Sequence, residues 1–157
     1  MTAKSTATKR NVLITGVSST VGRHLAMHLM NDERIGRIIG TSSVPAPRFF
    51  QTFDRDRFRY VQADILRTRQ LKNLFGSREY HEADINTVVH LSFISHPNKR
   101  GRRVHRFNVE GTKSLLDACI ERGVDKFVFK SSDVVYKLDH TNPVYLGEDA
   151  DLNHDPD

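Results

Sequence analysis

The stretch Asn11-Val-Leu-Ile-Thr-Gly-Val-Ser-Ser-Thr-Val-Gly22 decides the fold of this chain. Residues 11–15 form a short apolar run rich in β-branched side chains that ends at Gly16, which is typical of a buried parallel strand entering a tight turn. A helix of about three turns is predicted from Thr20, because apolar residues then recur at every fourth position. Those residues are Val21, Leu25 and Leu29.

The same alternation of strand and helix continues along the chain. Further strands are predicted at residues 37–41, 59–63, 87–91 and 126–130. Pro45 and Pro47 enforce an extended loop after the second strand. A short helix is predicted near residues 67–75, closing at Gly76. This order predicts an α/β fold, a doubly wound parallel sheet of about five strands with helices on both faces.

A long helix at residues 104–120 is predicted before the last strand, with Gly123 at its C-terminal stop. Its apolar side is expected to comprise Val104, Phe107, Thr112, Leu115, Leu116, Cys119 and Ile120.

Length and charge set limits on the class of protein. The 157 residues allow one domain, and no apolar run approaches the ~20 residues of a membrane span. The sequence is interpreted as a disordered leader (1–9), a binding domain (10–137) and an acidic loop or tail (138–157). The leader lacks the apolar segment of a secretory signal, so a cytoplasmic protein is expected. The net charge is +5, yet no Lys or Arg follows Lys137, so the body is basic and the tail acidic.

The loop between the first strand and the first helix is the main candidate for binding chemistry. Small residues there let the backbone approach a pyrophosphate, and the start of a helix offers N–H groups and a positive dipole end. The alternative is that the Gly-x5-Gly pattern only connects a strand to a helix. The candidate contacts in the loop are Gly16, Ser18, Ser19, Thr20, Val21 and Gly22.

Three further segments carry specific patterns: Val61-Gln-Ala-Asp-Ile65, Val88-Val-His-Leu-Ser-Phe93 and Asn108-Val-Glu-Gly-Thr112. Together with the loop, they resemble the NAD-dependent epimerase/dehydratase family of extended and atypical short-chain dehydrogenases/reductases. The resemblance covers roughly residues 10–149. It implies a Rossmann fold and a dinucleotide lying across the carboxyl ends of the first and fourth strands.

The resemblance also implies roles for individual residues. The family loop is Thr-Gly-x-x-Gly-x-x-Gly, and Ser19 stands at its middle glycine, where it either lowers affinity or donates its hydroxyl proton to a phosphate. Asp64 would accept from the adenine amino group and Ile65 would pack on the ring, the alternative being that Asp64 is a helix N-cap. Asn108 would anchor hydrogen bonds beside the nicotinamide site. The residues expected against the cofactor ribose are Leu91, Ser92 and Phe93.

The choice between NAD and NADP depends on the end of the second strand. An NAD site usually has an acid there for the ribose 2′-hydroxyl, and Ser42 stands at that position. Arg48, a few residues on, could reach a 2′-phosphate. The cofactor is therefore NAD or NADP, with a slight lean towards NADP.

The catalytic positions are incomplete. Ser132 matches the family's catalytic hydroxyl, and Asp133 matches the general acid of sugar-nucleotide 4,6-dehydratases, although a turn role for Asp133 is favoured. The Tyr-x-x-x-Lys pair of the family is absent, since Tyr136 is followed by Lys137 and Tyr145 has an aspartate four residues on. In the family that pair and the substrate-binding part lie further towards the C-terminus, which this sequence lacks.

Two functions remain open on these grounds. One is the NAD(P)-binding domain of an epimerase/dehydratase-like protein, which if completed would reversibly oxidise a hydroxyl on a sugar nucleotide or other alcohol. The other is a non-catalytic dinucleotide-binding or protein-interaction module. An exposed apolar surface is expected near Phe127, Phe129 and Val135. A homo-oligomer contact, the acidic tail or a missing C-terminal segment would cover it.

The remaining candidates are interpreted as structural. Cys119 is expected to be a buried packing residue rather than a nucleophile. The basic run at residues 99–106 is interpreted as a solvated helix face, with binding of nucleic acid or a phosphorylated substrate as the less favoured alternatives. His24 and His28 lack a third ligand, so no metal site is expected. His90 is interpreted as a half-buried, satisfied residue.

Overall fold

Five parallel strands form a single sheet in the computed structural model, which describes residues 9–94, 101–132, 135–137 and 139–153. Their order is β3-β2-β1-β4-β5, which confirms the predicted doubly wound parallel sheet. The strands are β1 (Arg10–Thr15), β2 (Ile35–Ser42), β3 (Phe58–Gln62), β4 (Thr87–His90) and β5 (Lys126–Phe129).

Helices cover both faces of the sheet. One face carries α1 (Thr20–Met30) and a 3₁₀ helix (Arg48–Thr52), and the other carries α2 (Thr68–Phe75), α3 (Arg78–Ala83) and α5 (Gly111–Glu121). A short helix, α4 (Arg102–His105), and a π-helical turn (Arg106–Glu110) lead into α5.

The two faces of the sheet bury alternate residues of β1. In β1, Val12 and Ile14 belong to the core beneath α1, whereas Leu13 belongs to the core beneath α2, α3 and α5. Because successive side chains of a strand point to opposite faces, a strand covered on both sides has a continuous apolar sequence. This explains why the run at residues 11–15 indicates a buried parallel strand.

The carboxyl ends of the inner strands meet at one edge of the sheet. Thr15 at the end of β1 is in register with Thr41 of β2 on one side and with His90 of β4 on the other. The chain moves outwards in one direction through β2 and β3 and in the opposite direction through β4 and β5. The crevice between β1 and β4 is therefore the switch point at which such sheets bind ligands.

The predicted long helix at residues 104–120 is wrong in two respects. The π-helical turn at Arg106–Glu110 interrupts it, and its buried line is narrower than predicted. Leu115 and Cys119 are buried, but Leu116 and Ile120 are 39% and 71% exposed. Each lies one residue, or about 100°, further round the helix, on the side that faces away from the sheet.

Other differences are local. Val21 is 54% exposed, because Gly22 and Ala26 form the buried line of α1 instead. The loop after Pro47 is a 3₁₀ helix rather than fully extended, and α3 was not predicted. Strand ends shift by one or two residues.

No helix among the described residues is both long and apolar enough to cross a membrane.

Candidate functional site

The loop between β1 and α1 contains two glycines whose backbones are closely approached. Gly16 has a φ of +69°, and a Cβ there would lie 2.9 Å from the backbone nitrogen of Ser92. A Cβ on Gly22 would lie 2.5 Å from the carbonyl oxygen of Gly16. Because the opposing atoms are backbone, they cannot move aside as a flexible side chain would. The loop therefore keeps its compact shape only with glycine at both positions.

The serines of this loop make defined hydrogen bonds. Ser19 is the N-cap of α1, and its Oγ accepts a hydrogen bond from the Gly22 amide at 3.0 Å. Accepting this bond uses a lone pair of the Ser19 Oγ, so the Ser19 hydroxyl can still donate a hydrogen bond to a ligand. The Ser18 and Ser42 hydroxyls are 2.7 Å apart, which ties the loop to the end of β2.

The first turn of α1 adds a favourable environment for an anion. The amide groups of Thr20 and Val21 lie at the start of the helix, where backbone N–H groups have no intrahelical acceptor. The positive end of the helix dipole lies at the same point.

A cavity of about 270 Å³ lies along the carboxyl ends of β1, β2 and β4. Nine of the predicted contact residues line it: Gly16, Ser18, Ser19, Ser42, Asp64, Ile65, Leu91, Ser92 and Phe93. The other four, Thr20, Val21, Gly22 and Asn108, do not belong to its lining.

One hydroxyl in the cavity lining is conspicuous. Thr41 is fully buried at the end of β2, and its Oγ1 finds no hydrogen-bond partner among the described residues. A buried hydroxyl without a partner is costly, so a polar group of a ligand would relieve this cost.

Asp64 and Ile65 follow β3 on the far side of the cavity. Oδ1 of Asp64 accepts a hydrogen bond from the Leu66 amide at 3.0 Å, and Oδ2 lies 3.6 Å from Nε of Arg67. The alternative that Asp64 is a helix N-cap is wrong, because α2 begins at Thr68 with Arg67 as its N-cap. Asp64 instead closes a turn, and its carboxylate keeps partial exposure, at 27%.

His90 at the end of β4 is fully buried, so the prediction of a half-buried residue is wrong. The rings of Phe127 and Phe129 in β5 cover it, with centroids 6.0 and 5.6 Å from the imidazole. Its Nδ1 is 2.6 Å from Thr15 Oγ1 and its Nε2 is 2.9 Å from Thr112 Oγ1. Burial lowers the pKa of His90 to about 4, and the ring is therefore neutral near pH 7.

The π-helical turn and α5 hold the loop that follows β4. Asn108 Oδ1 accepts from the Ile94 amide at 2.9 Å, and its Nδ2 donates to the Ile94 carbonyl at 3.0 Å. A Cβ on Gly111 would lie 3.0 Å from the Ile65 side chain, so the glycine lets α5 pack closely against the cavity wall. Asn108 therefore acts on the lining through Ile94, which itself faces the cavity.

Residues 12–156 match the model of a protein family described as the NAD dependent epimerase/dehydratase family. The chain belongs to this family.

Its relatives support the same assignment and are longer than this chain. The dTDP-D-glucose 4,6-dehydratase of Mus musculus is 28% identical over 134 residues, which are 81% of this chain and 36% of the mouse protein. The UDP-glucose 4-epimerase of Dictyostelium discoideum is 25% identical over 139 residues, or 85% of this chain and 39% of that protein. The chain thus spans less than half the length of these curated relatives.

The fold is also that of solved structures. The dTDP-glucose 4,6-dehydratase of Bacillus anthracis, in complex with NAD, aligns with a TM-score of 0.70 at 21% identity and covers 92% of this chain and 44% of that chain. This likeness shows a shared Rossmann fold with the epimerase/dehydratase enzymes.

The candidate catalytic residues of this family member are only partly described. Ser132 is half-buried three residues after β5, and its carbonyl accepts from the Val135 amide at 3.3 Å. Asp133 lies outside the described residues. Tyr136 pairs with Leu152 in an isolated antiparallel bridge, and Tyr145 is 90% exposed.

The residues interpreted as structural have clear environments. Cys119 is buried, which raises the pKa of its thiol to about 12 and confirms a packing role. His24 Nδ1 is 2.8 Å from the Thr20 carbonyl oxygen of its own helix. Within the described ranges, no group of three or more His, Cys, Asp or Glu could hold a metal ion.

The basic run is exposed where the structure describes it. Lys99 and Arg100 lie outside the described residues, and the described basic residues of the run are Arg102, Arg103, His105 and Arg106. Arg106 pairs with Glu110 one turn later, at 3.4 Å.

Sequence reasoning missed five residues of the cavity lining: Thr41, Ser43, Ala63, Ile94 and Phe107. The first three could have been found, because they lie next to Ser42 or Asp64 at strand ends. Ile94 and Phe107 carry no such signal, since their place depends on how the loop after β4 meets the π-helical turn.

Proposed function

We propose that this chain binds NAD or NADP across the carboxyl ends of β1 and β4. The observation that carries the proposal is the cavity there, which the glycine loop, the ends of β1, β2 and β4 and the turn after β3 enclose. The proposed contacts are the residues predicted from the sequence: Gly16, Ser18, Ser19, Thr20, Val21, Gly22, Ser42, Asp64, Ile65, Leu91, Ser92, Phe93 and Asn108.

The residues fit such a cofactor. The pyrophosphate would meet the Gly16 backbone and the start of α1, where a larger residue than glycine would clash. The adenine would lie beside Asp64 and Ile65, and Thr41 Oγ1 would gain a partner from the adenosine end. A bound nicotinamide would supply hydride acceptance and donation.

The lean towards NADP rests on the end of β2. Ser42 and Ser43 line the cavity where an acid would hold the 2′-hydroxyl of NAD. A 2′-phosphate placed there would meet hydroxyls rather than a carboxylate. Arg48 is exposed on the nearby 3₁₀ helix and does not line the cavity, so its reach to the phosphate depends on a side-chain movement.

Titration calorimetry with NAD and NADP tests both parts of this proposal. Gly16→Ala should abolish binding, because the added Cβ would lie 2.9 Å from the backbone nitrogen of Ser92 and push the two loops apart. Gly123→Ala is a matched control, since Gly123 also has a positive φ, +67°, but nothing lies within 4 Å of its Cβ position. Ser42→Asp should reverse the preference towards NAD. Clear preference of the unmodified chain for NAD would contradict the NADP lean, and equal effects of both glycine variants would contradict the site.

The reaction we propose is reversible oxidation of a hydroxyl on a sugar nucleotide or another alcohol, with Ser132 hydrogen-bonding the reacting oxygen. The mouse and Dictyostelium relatives, by their names, act on nucleotide sugars. The second candidate is a non-catalytic dinucleotide-binding or protein-interaction module, which the missing Tyr-x-x-x-Lys pair in this sequence favours. Nicotinamide absorbance followed with candidate alcohols separates the two. Dinucleotide binding without turnover supports the module.

A further inference from the structure

The buried His90 connects three elements that meet at the cavity. Its ring bridges Thr15, the last residue of β1, and Thr112, the second residue of α5, through hydrogen bonds of 2.6 and 2.9 Å. Either neutral tautomer lets one ring nitrogen donate and the other accept, so both threonine hydroxyls are satisfied. His90 itself is 0% exposed and does not line the cavity.

Thr15 links His90 to a residue of the cavity wall. Its Oγ1 accepts a hydrogen bond from the Ser92 amide at 3.4 Å. Thr15 also immediately precedes Gly16, whose Cβ position lies 2.9 Å from the same Ser92 nitrogen. The phosphate loop and the loop after β4 are therefore in close contact at the point where the Thr15 side chain is held.

Thr112 forms the other end of the bridge. It lies four residues after Asn108, so both side chains project from neighbouring turns of the same helical segment. Asn108 holds Ile94 and Thr112 holds His90. The segment thus holds the chain leaving β4 at two points, one on each side of Leu91, Ser92 and Phe93.

We propose that His90 is a positioning residue for the dinucleotide site, which through Thr15 and Thr112 fixes the spacing between the phosphate loop and the loop after β4. This inference rests on the proposed function, because the spacing matters only if a ligand spans both loops. A buried residue with both ring nitrogens bonded acts by holding its neighbours in place rather than by contact with the ligand.

The test compares two variants of Thr112, one that removes its hydroxyl and one that keeps it. Thr112→Val keeps the shape but removes the partner of Nε2, and we expect it to weaken dinucleotide binding about tenfold, because a loop that is held less firmly must be ordered when the ligand binds. Thr112→Ser retains the hydroxyl and should bind within about twofold of the unmodified chain. If Thr112→Val does not fold, Thr15→Val and Thr15→Ser make the same comparison from the other end of the bridge.

Cys119→Ala provides the control for general destabilisation, because Cys119 is buried on the same helix but makes neither of the two hydrogen bonds to the His90 ring. If it weakens binding as much as Thr112→Val at an equal loss of thermal stability, the role is only structural and the proposal is overturned. Amide hydrogen exchange of Ser92 without ligand gives an independent reading. It should accelerate in Thr112→Val and not in Cys119→Ala.

Dinucleotide affinity and amide exchange of Ser92, measured together, separate this inference from the proposed function. If the unmodified chain binds neither dinucleotide while Ser92 exchange responds as expected, the proposed function fails although the bridge still positions the loop. If the chain binds a dinucleotide and Ser92 exchange is unchanged in Thr112→Val, the positioning role is overturned and the proposed function stands.

Discussion

At the scale of single residues, the loop between β1 and α1 depends on the absence of a side chain at Gly22. Its Cβ position lies 2.5 Å from the Gly16 carbonyl oxygen and 2.6 Å from the Val17 Cα. We expect Gly22→Ala to lower the free energy of unfolding by about 1–3 kcal/mol, as overpacking does. Gly76→Ala is the control, with a Cβ position 3.1 Å from a single carbonyl oxygen. Equal stability of the two variants in chemical denaturation would contradict this account.

His90 gives the stability of the fold a dependence on pH. Burial lowers its pKa from 6.5 to about 4, so between these values the unfolded chain binds a proton that the folded chain does not. Stability should therefore fall as the pH drops from about 6.5 to 4, by up to about 3 kcal/mol from this residue. Denaturation measured across this range should show a shallower slope in His90→Gln. His28→Gln is the matched control, because His28 is exposed on α1, and equal changes of slope in the two variants would contradict the role of His90.

The residues that the sequence could identify are those whose role follows from their place beside a strand end. Gly16, Ser42, Asp64 and Ser92 all line the cavity, because parallel strands bring their carboxyl ends to one edge. His90 could not be interpreted in the same way. Its burial depends on Thr112 and two phenylalanines that lie 22 or more positions later in the chain.

At the scale of elements, an aromatic side chain packs the 3₁₀ helix against one face of the sheet. The Phe50 ring stacks on Phe58 and Tyr60 of β3, with centroids 4.9 and 5.8 Å away. Phe50 is 7% exposed, whereas its neighbour Phe49 is 37% exposed. Phe50→Ala should cost about 3–5 kcal/mol of stability, as for other buried rings.

Phe49→Ala is the matched variant for this element and should cost about 1 kcal/mol, the centre of the usual range for point substitutions. Thermal unfolding of the two variants gives the comparison. If they lose the same stability, the packing of Phe50 against β3 does not hold the 3₁₀ helix in place.

Regular elements were predictable where periodicity and burial agree. The inner strands β1, β2 and β4 are examples, because their apolar patterns match a sheet covered on both faces. The helix α3 was missed because only Tyr80 and Ala83 of its six residues are buried. The π-helical turn was not distinguished from ordinary α-helix, because Phe107 continues the predicted apolar side of the helix although none of the turn's residues is buried.

One connection between elements had no local signal. Arg57 precedes β3, yet its guanidinium donates to the Met30 carbonyl at 2.7 Å and to the Ile35 carbonyl at 2.8 Å. It therefore holds the end of α1 and the start of β2 together. A single arginine in a polar loop predicts only exposure, so this role requires the three-dimensional structure.

At the scale of the whole molecule, the sheet ends at an edge strand, β5, that is exposed. β5 carries an exposed apolar surface in the described structure, with Val128 39% and Phe129 41% exposed and Phe127 half-buried. Val135, close after the strand, is 41% exposed. This confirms that apolar side chains are exposed near Phe129 and Val135. The acidic segment reaches this region through hydrogen bonds from Lys137 to Asp151 and from Asn153 to Val135.

Apolar surface of this kind should bind a hydrophobic dye and promote self-association. We expect Phe129→Ser to lower dye fluorescence and to shift sedimentation towards a monomer, because the Phe129 side chain is 41% exposed on β5. Val144→Ser is the control, since Val144 is 93% exposed but lies in the acidic segment. A stable, monodisperse monomer that binds no dye would contradict the expectation. Equal effects of the two substitutions would show that the surface around β5 promotes dye binding and self-association no more than a single exposed apolar residue elsewhere does.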